Sequence, residues 1–144
     1  MKHVRALEDY VIFFEKLNRR SVKLIDKHVA PGVRFKDPFN DVHGADAMRY
    51  VLEHMFTQLH QPKFKVHDVA WGREEHVAYL KWTFKYTWPK TGAKDSFEGM
   101  SQVTFGPKGK IVEHIDFWDP THPIYMRVPF LKWMMAKVLE KLKV

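Results

Sequence analysis

Apolar residues recur at three- and four-residue spacing at the start of the chain: Val4, Leu7, Val11, Phe14 and Leu17, with Tyr10 beside them. That period predicts a helix with one buried face. A second, short helix fits Ser21 to Val29, with Ser21 as its cap, and Pro31-Gly32 stops it. Val33 to Asp37 then alternates, which predicts a short strand with Val33, Phe35 and Asp37 on one face. Pro38 ends it or places it at an edge. Phe39 to His43 reads as a loop. A third helix opens at Gly44-Ala45-Asp46 and carries the stripe Ala47, Met48, Val51, Leu52, Met55, Phe56 and Leu59, with Pro62 closing it.

From Lys63 the period is two. Phe64, Val66 and Asp68 alternate with Lys63, Lys65 and His67 up to Trp71. His76 to Trp88 alternates most cleanly, with Ala78, Leu80, Trp82, Phe84, Tyr86 and Trp88 on the face expected to meet the core. Turns at 72–75, 89–94 and 106–109 separate this strand from its neighbours, and Ser96 to Phe105 and Lys110 to Trp118 complete a meander. Pro123 and Pro129 interrupt the segment beyond Asp119, and a last helix runs from Phe130. Strands joined by tight turns pair antiparallel. The expected fold is therefore α+β, in one domain spanning 1–144. A curved antiparallel sheet of four long strands and a short one packs on three N-terminal helices, and 121–144 form a helical extension. A sheet curled around a long helix leaves an open cone whose mouth is a pocket.

Composition narrows the chemistry. The 144 residues are 45% hydrophobic and 15% aromatic, enough for a core, and none is cysteine. Disulfides, zinc-thiolate sites and thiol nucleophiles are thereby excluded. The net charge is +7, but the basic residues are scattered rather than clustered, so nucleic acid is not the expected partner. The first residues carry charges where a signal peptide needs its apolar stretch, and a cytoplasmic protein is the expectation.

Two stretches carry a resemblance. Phe35-Lys36-Asp37-Pro38-Phe39 followed by His43-Gly44-Ala45-Asp46-Ala47-Met48 resembles the strand-loop-helix of SnoaL-like and ketosteroid-isomerase-like proteins, within the nuclear transport factor two-like superfamily. The run Gly109 to Asp119 is similar to the last strand of SnoaL-like domains. The likeness spans about Leu7 to Asp119. It implies a conical pocket for a hydrophobic small molecule, and a homodimer. It also places Asp37 where ketosteroid isomerases keep their general base. Their oxyanion-hole tyrosine and protonated aspartate fall at Phe13 and near Ser101, which do not reproduce that pair; Tyr10 lies one turn before Phe13. Asp116 matches the acid–base aspartate of SnoaL-like cyclases and limonene-epoxide-hydrolase-like enzymes. The arginine of the latter has no counterpart among Gly99, Ser101 and Val103.

The residues point to the same place by their own chemistry. Val112, His114, Asp116 and Trp118 share a face on a strand, which sets an imidazole and a carboxylate about 7 Å apart. If that face lines the cone, the pair can move a proton on a bound ketone, enol or epoxide. The candidate catalytic groups are Asp37, Asp116 and His114. Tyr10, Phe13, Phe35, Trp82, Phe84, Tyr86, Phe97, Ser101 and Trp118 are the candidate ligand-binding residues. Each has a plainer alternative: Asp37 bracing the loop to Gly44, Asp116 held by backbone or Tyr/Trp donors, His114 a satisfied buried histidine, the aromatics core packing. His114, Asp116, Asp119 and His122 do not make a convincing metal set, and no metal or cofactor is expected. Whether the pocket catalyses isomerase, cyclase or dehydratase chemistry, or only binds, stays open. So does protein or peripheral membrane docking through the last helix, whose expected place is against its own domain.

Overall fold

The computed structural model describes residues 2–144. Helix α1 (Val4–Glu15) is followed by a 3-10 helix at Ser21–Lys27, strands β1 (Val29–Lys36) and β2 (Asp41–His43), and helix α2 (Ala45–Gln58). Strands β3 (His60–Trp71), β4 (Val77–Thr87), β5 (Lys94–Phe105) and β6 (Ile111–Phe117) come next, then a 3-10 turn at Tyr125–Arg127 and helix α3 (Pro129–Leu142). The six strands form one sheet in the order β2-β1-β6-β5-β4-β3. β1 runs parallel to β6, and every other pair is antiparallel.

The helical stripes bury as their spacing requires. Leu7, Tyr10 and Phe14 of α1 and Met48 and Leu52 of α2 join one core with the face of β4 that carries Ala78, Leu80, Trp82, Phe84 and Tyr86, and Phe56 of α2 is buried as well. Burying each large side chain contributes roughly 1.5–3 kcal/mol. Gly44 permits the sharp entry into α2: its φ of 105° lies in the region that disfavours side chains, while its N–H donates to the Val33 carbonyl.

Four local expectations are corrected. The segment Phe39 to His43 is not all loop, because Asp41–His43 pairs with β1 as a sixth strand. The second helix is a 3-10 helix that ends at Lys27, and Val29 already belongs to β1. Pro62 does not close α2; it lies inside β3, which is tolerated because β3 is an edge strand and its register shifts between His60 and Lys63. The face Val112-His114-Asp116-Trp118 is broken at its start, because the β5–β6 register shifts between Thr104 and Phe105. Ile111 is buried in Val112's stead, and Val112 is exposed. His114 and Asp116 keep the inner side.

The last helix also departs from expectation. It contacts the 3-10 turn ahead of it and has no buried residue, so it does not dock on the helix–sheet core. No helix among the described residues is long and apolar enough to cross a membrane.

Candidate functional site

The concave side of the sheet borders a half-open hollow of about 680 Å³ with α2 as its opposite wall. That volume lies in the range of small-molecule sites. Phe35, Phe64, Trp82, Phe84, Tyr86, Phe97 and Trp118 supply aromatic surface from the strands and the β6 exit, and Ala47, Val51, Leu52 and Met55 face them from α2. The rings interlock edge to face, as Phe64 on Trp82, or stacked, as Phe97 on Trp118 with centroids 4.3 Å apart. The polar exceptions in the lining are Asp37, Asn40, His54, Gln58 and Asp116, besides the hydroxyl of a tyrosine or the ring nitrogen of a tryptophan. A shallower depression of about 830 Å³ beside Arg19 and Arg20 brings no comparable groups together.

Asp116 is the end of a buried chain of hydrogen bonds. Strand register builds it: Ser101 stands opposite Asp116, Val103 opposite His114, and Trp82 opposite Gly99. The Trp82 Nε1–H donates to Ser101 Oγ at 2.8 Å. The Ser101 hydroxyl donates to Asp116 Oδ1 at 2.5 Å. His114 Nε2 lies 2.7 Å from that same Oδ1, and His114 Nδ1 lies 2.6 Å from the Tyr10 hydroxyl. The hydroxyl is fully buried, and burial, reinforced by the nearby Asp116 charge, pushes the Tyr10 pKa well above its ordinary value. It therefore keeps its proton and donates it to Nδ1. That assigns the imidazole proton to Nε2, pointing at the carboxylate, and satisfies every member of the chain.

Two donors thus converge on Asp116 Oδ1. Oδ2 has no hydrogen-bond partner among the described residues, and no buried side-chain polar atom among them is left unpaired. Oδ2 is therefore accessible, and the residue lines the hollow. One oxygen is anchored and the other is available to whatever occupies the site.

Asp37 is arranged differently. Its Oδ1 accepts the backbone N–H groups of Phe39 (2.8 Å) and Asn40 (2.7 Å), and the Asn40 side-chain amide donates to both carboxylate oxygens. It lies just beyond β1, at the rim of the hollow, and braces the turn into β2.

Of the other predicted residues, Phe35, Trp82, Phe84, Tyr86, Phe97 and Trp118 line the hollow together. Tyr10, Ser101 and His114 stand one layer behind, joined to it through Asp116. Phe13 is placed elsewhere, packed on His28 with ring centroids 4.7 Å apart. Asp119, weighed as a metal ligand, instead accepts from the Thr121 N–H.

Sequence reasoning did not single out Tyr50, His54 and Gln58, which recur every fourth residue along α2 and edge the hollow. That polar row beside the apolar stripe was the available signal. Nor did it find the strap over the mouth. Ile124 joins the lining, Tyr125 packs edge-on to Phe39, and Arg127 donates to Asp95 at 2.8 Å while lying 4.2 Å above the Trp88 ring. Asp95 also accepts from the Trp88 ring N–H and the Tyr86 hydroxyl. Burial would raise the Asp95 pKa, but Arg127, Trp88 and the Ser96 N–H together hold it below the usual carboxylate value. Burial, with the Asp95 charge beside it, pushes Tyr86 up to about 12.

The model of the SnoaL-like domain matches residues 11–114. The chain belongs to the SnoaL-like family. The match runs from the middle of α1 to the imidazole of the buried chain, so Tyr10 lies just before it and Asp116 and the strap lie beyond it. Solved structures share the fold of this SnoaL-like protein. One is a candidate SnoaL-like polyketide cyclase from Jannaschia sp. CCS1, with 14% identity and a TM-score of 0.73 over 85% of this chain and 90% of that one. A second is AclR, a candidate hydroxylase from Streptomyces galilaeus, with 22% identity and a TM-score of 0.70 over 88% and 96%. A third is a nuclear transport factor two-like protein of unknown function from Burkholderia pseudomallei, with 17% identity and a TM-score of 0.73 over 86% and 95%. No curated protein matches the sequence.

Proposed function

We propose that this SnoaL-like protein binds a hydrophobic, enolisable small molecule in the concave hollow and moves a proton on it with Asp116. The observation that carries the reading is the division of the Asp116 carboxylate. Oδ1 is fixed by Ser101 and His114, while Oδ2 is unpartnered at the wall of an aromatic cavity. A carboxylate held by one oxygen is oriented before substrate arrives, which is what a general base requires. His114 is a positioning residue: its Nε2–H holds Oδ1, and Tyr10 fixes its tautomer. Proton abstraction next to a carbonyl opens the route to cyclisation, isomerisation or dehydration. The rim row of His54 and Gln58 offers donors for a carbonyl oxygen. Asp37 in this reading shapes the mouth, its oxygens being taken up by the loop. The names of the cyclase and hydroxylase neighbours support a small organic ligand. A cytoplasmic setting and a homodimer belong to the same proposal, the dimer through the polar outer face of the sheet.

Native mass spectrometry of the purified protein tests the binding half. A co-purifying apolar mass, lost when Val51→Trp fills the hollow, is expected. An unchanged adduct in that variant would place the ligand elsewhere.

A further inference from the structure

Helix α3 presents an apolar arc that no element among the described residues buries. At 3.6 residues per turn, Leu131, Met134, Met135, Val138 and Leu142 fall on one side, with Phe130 and Leu139 at its borders. Leu131, Met134, Val138 and Leu142 are exposed, the last at 73%. Lys137 and Lys141 run along one border and Lys132 and Lys143 along the other, while Trp133, Ala136 and Glu140 lie opposite the arc and the Lys137 ammonium sits 4.1 Å over the Trp133 ring. From Pro129 to Val144 there are four lysines and one glutamate. Among the described residues the helix is anchored at its start, where the preceding turn is pinned through Arg127 to Asp95 and Trp88.

We infer that α3 docks on an anionic membrane surface, lying in the interface rather than crossing it. Lysines along both borders of an apolar arc can extend their ammonium groups to lipid headgroups while the arc enters the acyl boundary. Their charge has the sign that anionic headgroups attract. A second copy of the helix fits the arc less well. Face to face, eight lysines would meet two glutamates, twice the count in one helix, and like charges along a packed seam repel. Docking is independent of the ligand in the hollow, though it would hold the strap, and with it the mouth, near the lipid surface.

The chain has no cysteine, so Val138→Cys and Ala136→Cys can each carry one environment-sensitive fluorophore. The probes are vesicles of phosphatidylserine mixed with phosphatidylcholine, and of phosphatidylcholine alone. The Val138→Cys label should shift to the blue on mixed vesicles at low salt, and the Ala136→Cys label should not. Removing the charge at Lys137 or Lys141 (Lys→Gln) should weaken partitioning about fivefold each. Met134→Glu should abolish it without changing the circular dichroism spectrum. The proposal is overturned by equal binding to neutral vesicles, by equal shifts of both labels, or by retention on an acidic protein matrix without vesicle binding. A dimer that Met134→Glu dissociates, in place of vesicle binding, would likewise assign the arc to a second copy.

Discussion

Asp116 has meaning only through the residues that hold one of its oxygens. Tyr10→Phe keeps the ring and removes the buried proton that satisfies His114 Nδ1. An orphaned buried acceptor costs about 1–3 kcal/mol, so the melting temperature should fall by about 2–4 °C per kcal/mol for a chain of this size. Calorimetry reads it. The raised Tyr10 pKa adds a pH signature. Its stabilising contribution is fully present below the ordinary tyrosine value of 10.0 and is lost as pH rises through the higher folded value. Denaturant midpoints should therefore decline on the alkaline side. Tyr86, at about 12, adds to the decline, so Tyr10→Phe should blunt it rather than remove it. Gly99 belongs to this scale too. A methyl group there would overlap the Trp82 ring, so Gly99→Ala should displace the indole from Ser101 and destabilise the chain. Asp116 was visible in the sequence because the last strand alternates and bears the family motif. Its division into an anchored and an available oxygen was not, because that depends on Ser101 and Tyr10 arriving from β5 and α1, far away along the chain.

Among the elements, alternation was enough to place β4, whose five inner side chains are all buried. It failed at the start of β6 and within β3, where register shifts exchange the two faces. A bulge inserts one residue without changing composition, so a period-two reading cannot see it. The strap was illegible for another reason. Residues 119–128 have no period, and their order comes from side chains that meet across the mouth, Arg127 with Asp95 and Trp88, and Tyr125 with Phe39. The Arg127–Asp95 latch predicts its own pH dependence. Asp95 is held below the usual carboxylate value, so its contribution is present above the unfolded pKa and fades as pH falls through the lower folded value. Amide hydrogen exchange should show residues 120–128 protected at neutral pH and loosened in acid. Arg127→Ala should loosen them at neutral pH. Equal protection in both proteins would mean that Ile124 and Tyr125 hold the strap without the latch.

At the scale of the molecule, the helices and sheet form a body that α3 does not help to bury. Deleting 129–144 removes no buried residue. The melting temperature should therefore move by no more than about 1–2 °C, since exposed changes stay within about half a kcal/mol. A larger fall would show α3 docked on the body. Composition and periodicity reach this architecture because burial of apolar stripes dominates folding. They do not reach the ligand, because an aromatic hollow of 680 Å³ admits many flat apolar molecules.

The central claim is that Asp116 takes a proton from a molecule in that hollow. Deuterium exchange at the α-carbon of 2-tetralone, a bicyclic enolisable ketone, can be followed by nuclear magnetic resonance in heavy water with the wild-type protein and with Asp116→Asn. The account predicts exchange above the buffer rate for the wild type, and a loss of about a hundredfold or more in Asp116→Asn with tetralone still bound. Equal exchange in the two proteins, or none in the wild type while tetralone occupies the hollow, would contradict it.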